Sequence, residues 1–122
     1  MKSIFIMAVL LVTATATQAQ IKNAQTDTVK VFGNCGMCEA TIEKAGSETK
    51  TSKTDWNQET GIAVITYDAK KTSLDAVLKN IARSGYDNVN YLAPTAVYDK
   101  LHGCCKYDRE TKTSALPVDG IQ

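Results

Sequence analysis

Four cysteines hold the chemistry this sequence could perform, and they come as two tight pairs. Cys35 and Cys38 have two residues between them; Cys104 and Cys105 are adjacent. A thiolate is both a redox nucleophile and a soft ligand suited to Cu(I), Zn(II) and similar ions. Cys-x-x-Cys across a loop can point two sulfurs the same way, a few ångströms apart. That suits near-linear Cu(I) or Hg(II), or half of a tetrahedral zinc site. The second pair sits in Leu101-His102-Gly103-Cys104-Cys105-Lys106, so an imidazole stands beside two thiols. Adjacent cysteines chelate one ion less readily than a spaced pair. Cys104, Cys105 and His102 are therefore auxiliary ligand candidates, a clamp over the first pair, or a docking point. Their structural alternative is a disulfide from the tail to the domain. Four cysteines allow three connectivities, and sequence does not choose among them.

The elements that must position these groups follow from hydrophobic patterning. Asp27 to Phe32 alternates, with Val29 and Val31 on one face, and reads as a strand that delivers the Cys-x-x-Cys loop. A helix is expected from Gly36–Cys38 to about Ala45, with Gly46 as its stop. Cys35 and Cys38 then lie at a helix N-terminus, where backbone N–H groups and the dipole favour the thiolate. Ser47 to Lys53 is a polar link that could begin the next strand, and Thr54-Asp55-Trp56-Asn57 leads to a turn at Gln58–Gly61. Trp56 is expected to pack in the core. Gly61 to Tyr67 is the clearest strand, forming a hairpin with what precedes it. Thr72 or Ser73 can cap a second helix whose Leu74, Val77, Leu78 and Ile81 fall at buried-face spacing. Asn88 to Leu92 reads as a short last strand. The order strand, helix, strand, strand, helix, strand is α+β, the ferredoxin-like βαββαβ sandwich, with two helices on one face of a four-stranded antiparallel sheet. Ala96–Leu101 could form a helical turn, and a polar end follows.

Residues 1–19 have the make-up of a cleavable signal peptide: Lys2, an apolar run from Ile4 to Val12, and Thr17-Gln18-Ala19 as a cleavage site. The apolar run falls short of the ~20 residues needed to span a bilayer, so no stable membrane insertion is expected after cleavage. A periplasmic or secreted location follows, where disulfides persist. Lys2 is one of 14 basic residues; without it, 13 remain against 13 acidic ones. The formally neutral chain argues against nucleic acid as a partner. Residues 20–26 read as a loose leader, 27–92 as the domain and 93–122 as a Cys-containing C-terminal extension.

Three segments resemble a heavy-metal-associated domain, the fold of copper chaperones and periplasmic mercury-binding proteins. They are Phe32-Gly33-Asn34-Cys35-Gly36-Met37-Cys38, Trp56-Asn57, and Ser84-Gly85-Tyr86-Asp87. The family usually has Gly-Met-Thr-Cys-x-x-Cys; Gly33 and Asn34 stand at its Met and Thr positions, which implies a looser or differently packed loop. The resemblance implies that Cys35 and Cys38 are the ligands, with Tyr86 and Asn34 tuning them from behind. It also implies that the exposed Cys35 engages a partner thiolate first. Met37 is expected to be an ordinary loop side chain rather than a ligand. The implied function is trafficking or detoxification of a soft metal ion, Cu(I) first, Hg(II) or Zn(II) otherwise. The implied partner is a metal-exchange protein such as a membrane metal transporter. The alternative is a thiol–disulfide redox protein using the same pair. Against it stand the strand order and the prolines, since Pro94 and Pro117 both lie beyond the expected last strand. No Ser/His/Asp set, paired catalytic carboxylates or phosphate-binding glycine loop is present, so no enzyme is expected.

Overall fold

The computed structural model describes residues 21–109 and 116–117. The signal-peptide segment lies outside the described residues. β1 (Ala24–Lys30), β2 (Ser52–Trp56) and β3 (Ile62–Asp68) form one antiparallel sheet in the order β1-β3-β2. β3 runs centrally. Ala63, Ile65 and Tyr67 are buried, while Ile62 and Val64 face outward, as period-2 alternation requires. α1 (Gly36–Ala45) and α2 (Leu74–Arg83) supply the opposite layer, burying Cys38 and Ile42 from the first, and Val77, Leu78, Ile81 and Ala82 from the second. Ser73 caps α2 by accepting from the Ala76 N–H at 3.1 Å. This is the ferredoxin-like arrangement read from the sequence.

β1 starts three residues before the expected Asp27, so Ala24–Thr26 is strand rather than loose leader. Polar side chains hold it there. The Tyr67 hydroxyl donates to Gln25 (3.1 Å) and Asp27 (2.9 Å), and Thr26 meets Thr66 at 3.1 Å across the ladder. β2 is likewise built on polar residues. The hydroxyls of Ser52 (3.0 Å) and Thr54 (2.8 Å) donate to the Gly46 carbonyl at the end of α1. A Cβ on Gly46 would lie 2.1 Å from Thr54 Oγ1, so only glycine allows this approach.

The expected fourth strand is reduced. Asn88 makes an isolated antiparallel bridge to Val31 beside β1, and Phe32 N–H donates to the Asp87 carbonyl at 2.8 Å. The Asn88 side chain then accepts from the Asn90 (3.1 Å) and Tyr91 (3.0 Å) N–H groups and donates to the Leu78 carbonyl (2.9 Å). This turn curls the chain away from β1. β4 (Tyr91–Leu92) pairs instead, in parallel, with β5 (Leu116–Pro117), which places Pro117 in a strand. A four-residue helix α3 (Thr95–Tyr98) and a single 3-10 turn at Gly103–Cys105 complete the described chain. No helix among the described residues is long and apolar enough to cross a membrane.

Candidate metal centre

β1 hands the chain to the cysteine loop through a fixed joint. Val31 N–H donates to the Gly61 carbonyl (2.9 Å), and the buried Trp56 indole N–H donates to the Val31 carbonyl (3.0 Å). Gly33 then passes over the indole. A Cβ there would sit 3.1 Å from Trp56 and 3.2 Å from both the Cys38 Cβ and the Ile42 Cδ1. Trp56, Cys38 and Ile42 thus close the space beneath the position where the family carries Met. Cys35 is the N-cap of α1 and is half-buried; Cys38 lies in the first helical turn and is fully buried.

The C-terminal extension folds back onto this loop. Tyr107 is the anchor. Its ring is buried between Phe32 (centroids 6.5 Å apart) and Tyr86 (5.9 Å), with Tyr98 edge-on at 5.1 Å. Its hydroxyl accepts from the Asp87 N–H and donates to the Gly85 carbonyl, both at 2.8 Å. Arg109 forms a bidentate pair with the buried Asp87 carboxylate (2.9 and 2.7 Å), donates to the Ala93 carbonyl (2.7 Å) and lies over the Tyr98 ring. Asp87 also accepts from the Ala93 N–H at 2.7 Å. These contacts fix the strap from Ala93 to Arg109, and the 3-10 turn within it points Cys105 inward.

Cys35 Sγ is therefore the hub of four thiols: 3.5 Å from Cys38, 3.3 Å from Cys105 and 3.1 Å from Cys104. Cys104 and Cys105 are 3.9 Å apart. All four are free thiols. Among the described residues, Cys35, Cys38 and Cys105 form a group whose sulfurs all lie within 4.8 Å of one another and could hold a metal ion. Cys105 is buried, whereas Cys104 is exposed and reaches the Met37 Sδ at 3.9 Å. The structure does not bring the exposed His102 into the three-thiol group; its carbonyl accepts from the Cys105 N–H at 2.8 Å. Asn34 is exposed on the loop just before Cys35. Tyr86 is buried beneath the thiols of Cys105 and Cys38.

The electrostatics divide the cluster. The Cys35 thiol is lowered to about 6, first by its hydrogen bond with Cys104 and then by the Cys38 backbone N–H. In the neutral cluster Cys35 is placed to donate to Cys104; once Cys35 ionises, Cys104 becomes the donor. The partner thiol moves the other way: Cys104 is raised, chiefly by Cys35. Burial, and then Cys38, pushes Cys105 well above the ordinary thiol range. Burial likewise raises Tyr86, so its hydroxyl stays protonated and available as a donor toward sulfur. One low-pKa thiolate surrounded by neutral donors is the arrangement a soft cation would meet, displacing protons as it binds.

Sequence reasoning found all four cysteines and Tyr86, and quoted Asp87 without a role, but missed Tyr107 and Arg109, which with Asp87 place Cys105. Their only linear signal is an aromatic and an arginine closely following the Cys-Cys pair.

No protein-family model matches the chain. The mercuric transport protein periplasmic component of Pseudomonas aeruginosa is 44% identical over 64 residues, covering 51% of this chain and 70% of that protein. The solved structure of the CopZ metallochaperone aligns at a TM-score of 0.49 and 27% identity, over 52% of this chain and 98% of that one. The identity to the mercuric transport component, sustained across more than two thirds of its length, together with the βαββα framework and the loop it carries, shows that the chain belongs to the heavy-metal-associated domain family.

Proposed function

We propose that this protein is an exported carrier of a soft metal ion. Cu(I) is the first candidate, with Hg(II) or Zn(II) as alternatives. The carrier holds the ion on Cys35 and Cys38, with Cys105 nearby, and passes it to a protein partner such as a membrane metal transporter. The observation that carries this reading is the convergence of three sulfurs within 4.8 Å at the start of α1. Soft thiolates select Cu(I) and Hg(II) over the hard cations that oxygen ligands prefer. The relative named as the periplasmic component of mercuric transport keeps Hg(II) in view and supports export. Tyr86 shields the inner side of the site, while Asn34 lines its outer loop. His102, exposed and outside the three-sulfur group, is given no ligand role. Ligand exchange is the only chemistry required, so no catalytic group is assigned.

The test is anaerobic Cu(I) titration of the reduced protein against a competing chelator. It is repeated for Cys35→Ser with Cys38→Ser, and for Cys104→Ser with Cys105→Ser. Stoichiometric binding abolished by the first double substitution and weakened by the second is expected. A second reading, thiol–disulfide exchange, is favoured by one observation: Cys35 and Cys104 face each other at 3.1 Å at the rim of the cluster. Insulin reduction by a wild-type protein that takes up no Cu(I) would establish that reading in place of the first.

A further inference from the structure

The two adjacent thiols of the strap are not equivalent. Cys105 is buried and belongs to the three-sulfur group; Cys104 is exposed and lies outside it. Cys104 nevertheless makes the shortest sulfur contact in the cluster, 3.1 Å to Cys35, and its other sulfur neighbours are Cys105 and the exposed Met37 thioether, each at 3.9 Å. Cys104 is thus the thiol of the cluster most open to solvent. From Cys104, Cys35 is the next sulfur inward, and from Cys35 both buried thiols lie within 3.5 Å.

Resting on the metal-carrier reading above, we propose that Cys104 is the exchange thiol of this protein: the outer ligand through which a soft metal ion enters and leaves, while Cys105 retains it. The ion arrives on a donor sulfur. A bond forms to Cys104 Sγ, and the Cys104 thiol proton leaves to solvent. The bond to the donor sulfur breaks, and the donor thiolate recovers a proton. Cys35 then binds the ion, any proton on its sulfur leaving to solvent. Cys38 and Cys105 follow, each releasing a proton, as the bond to Cys104 breaks and that sulfur is reprotonated. No electron moves, and the ion keeps its charge throughout. The Met37 thioether, a soft but weak ligand, lies where it can stabilise the ion at the outer stage. Unloading runs the same steps in reverse, so the partner's incoming thiolate meets Cys104 rather than Cys35.

The split between retention and exchange is measurable. Purified apo-protein is mixed anaerobically with the coloured Cu(I)–bicinchoninate complex in a stopped-flow instrument. Loading rate and end-point affinity are read for wild type, Cys104→Ser and Cys105→Ser, and X-ray absorption counts the sulfurs bound. Cys104→Ser is expected to slow loading about tenfold, the rate effect of losing one favourable contact in the exchange step. Its affinity should fall far less than that of Cys105→Ser. Cys105→Ser should drop the bound sulfurs from three to two without slowing loading. Cys104→Ala, which removes the hydroxyl as a substitute ligand, should slow loading at least as much, with far-UV circular dichroism verifying the fold. Loading of Cys104→Ser and Cys104→Ala at the wild-type rate refutes the assignment, as does an affinity loss in Cys104→Ser equal to that in Cys105→Ser. A wild-type protein that withdraws no Cu(I) from the chelator overturns the carrier reading itself, a result distinct from either.

Discussion

If the strap delivers Cys105, then loosening the strap should expose that thiol by a calculable amount. Tyr107→Phe is the most conservative way to loosen it. The ring contacts with Phe32, Tyr86 and Tyr98 remain, and only the phenolic oxygen is lost. That oxygen serves two buried backbone groups at 2.8 Å, the Asp87 N–H and the Gly85 carbonyl. Leaving each unpaired costs about 1–3 kcal/mol, so the lower bound is about 2 kcal/mol for the two. The cost falls on the docked strap, because the undocked one leaves both groups to water. An equilibrium shifted by about 2 kcal/mol changes about 30-fold. Cys105 is 2% exposed and reacts only when the strap opens. With Cys105 as the single remaining cysteine, its labelling by a thiol reagent should therefore quicken by about 30-fold in Tyr107→Phe, while the urea midpoint falls. Labelling within a factor of two of the parent would mean that Tyr107 does not hold the strap, and the account of how Cys105 reaches the site would be wrong.

Three further outcomes follow from the site and fold already described. Iodoacetamide should label Cys35 of the apo-protein first, with a rate midpoint near pH 6 rather than 9. Cys104→Ala should move that midpoint upward, since Cys104 is the main cause of the shift. Because the folded state releases this proton near 6 and the unfolded state near 9, the unfolded chain binds more protons between those values. Apo-protein stability should therefore rise with pH through the lower part of that window, before the raised Cys104 and Cys105 thiols act the other way as pH nears 9, and denaturation melts that are flat or falling just above pH 6 would contradict the assignment. Gly46→Ala should destabilise by about 1–3 kcal/mol in urea, because the new methyl meets Thr54 Oγ1 at 2.1 Å and its Cβ at 2.7 Å; adding Thr54→Ala, which removes the Oγ1, should recover part of the loss. An unchanged midpoint for Gly46→Ala would show that β2 can withdraw from α1 without cost.

The sequence was most legible where burial falls on apolar side chains. β3 alternates cleanly, and Leu74, Val77, Leu78 and Ile81 mark one face of α2, so both elements lie within a residue or so of their expected bounds. β2 was obscured because two of its three buried positions are Ser52 and Thr54, hidden for their hydroxyl bonds to Gly46 rather than for hydrophobicity. β1 began earlier than expected for a related reason: its first residues are held by Tyr67 and Thr66 across the ladder, partners that no local pattern reveals. The last strand failed where Asn88 spends its side chain on a turn. At the site, Cys-x-x-Cys at a helix start announces itself. The approach of Cys105 does not, because it depends on Tyr107 and Arg109 meeting Gly85 and Asp87, which stand 20 to 22 residues earlier in the chain. A long-range hydrogen bond has no period.

Cys35 and Cys105 touch across a separation of 70 residues, a span that encloses β2, β3 and both long helices. An ion bridging them is thus a reversible cross-link around most of the domain. Chain-entropy reasoning assigns closure of a loop that long about 4 kcal/mol of stabilisation, a large part of what a domain this small possesses. Cargo and staple become the same object. The loaded protein would resist unfolding more than the empty one, because the ion closes that loop.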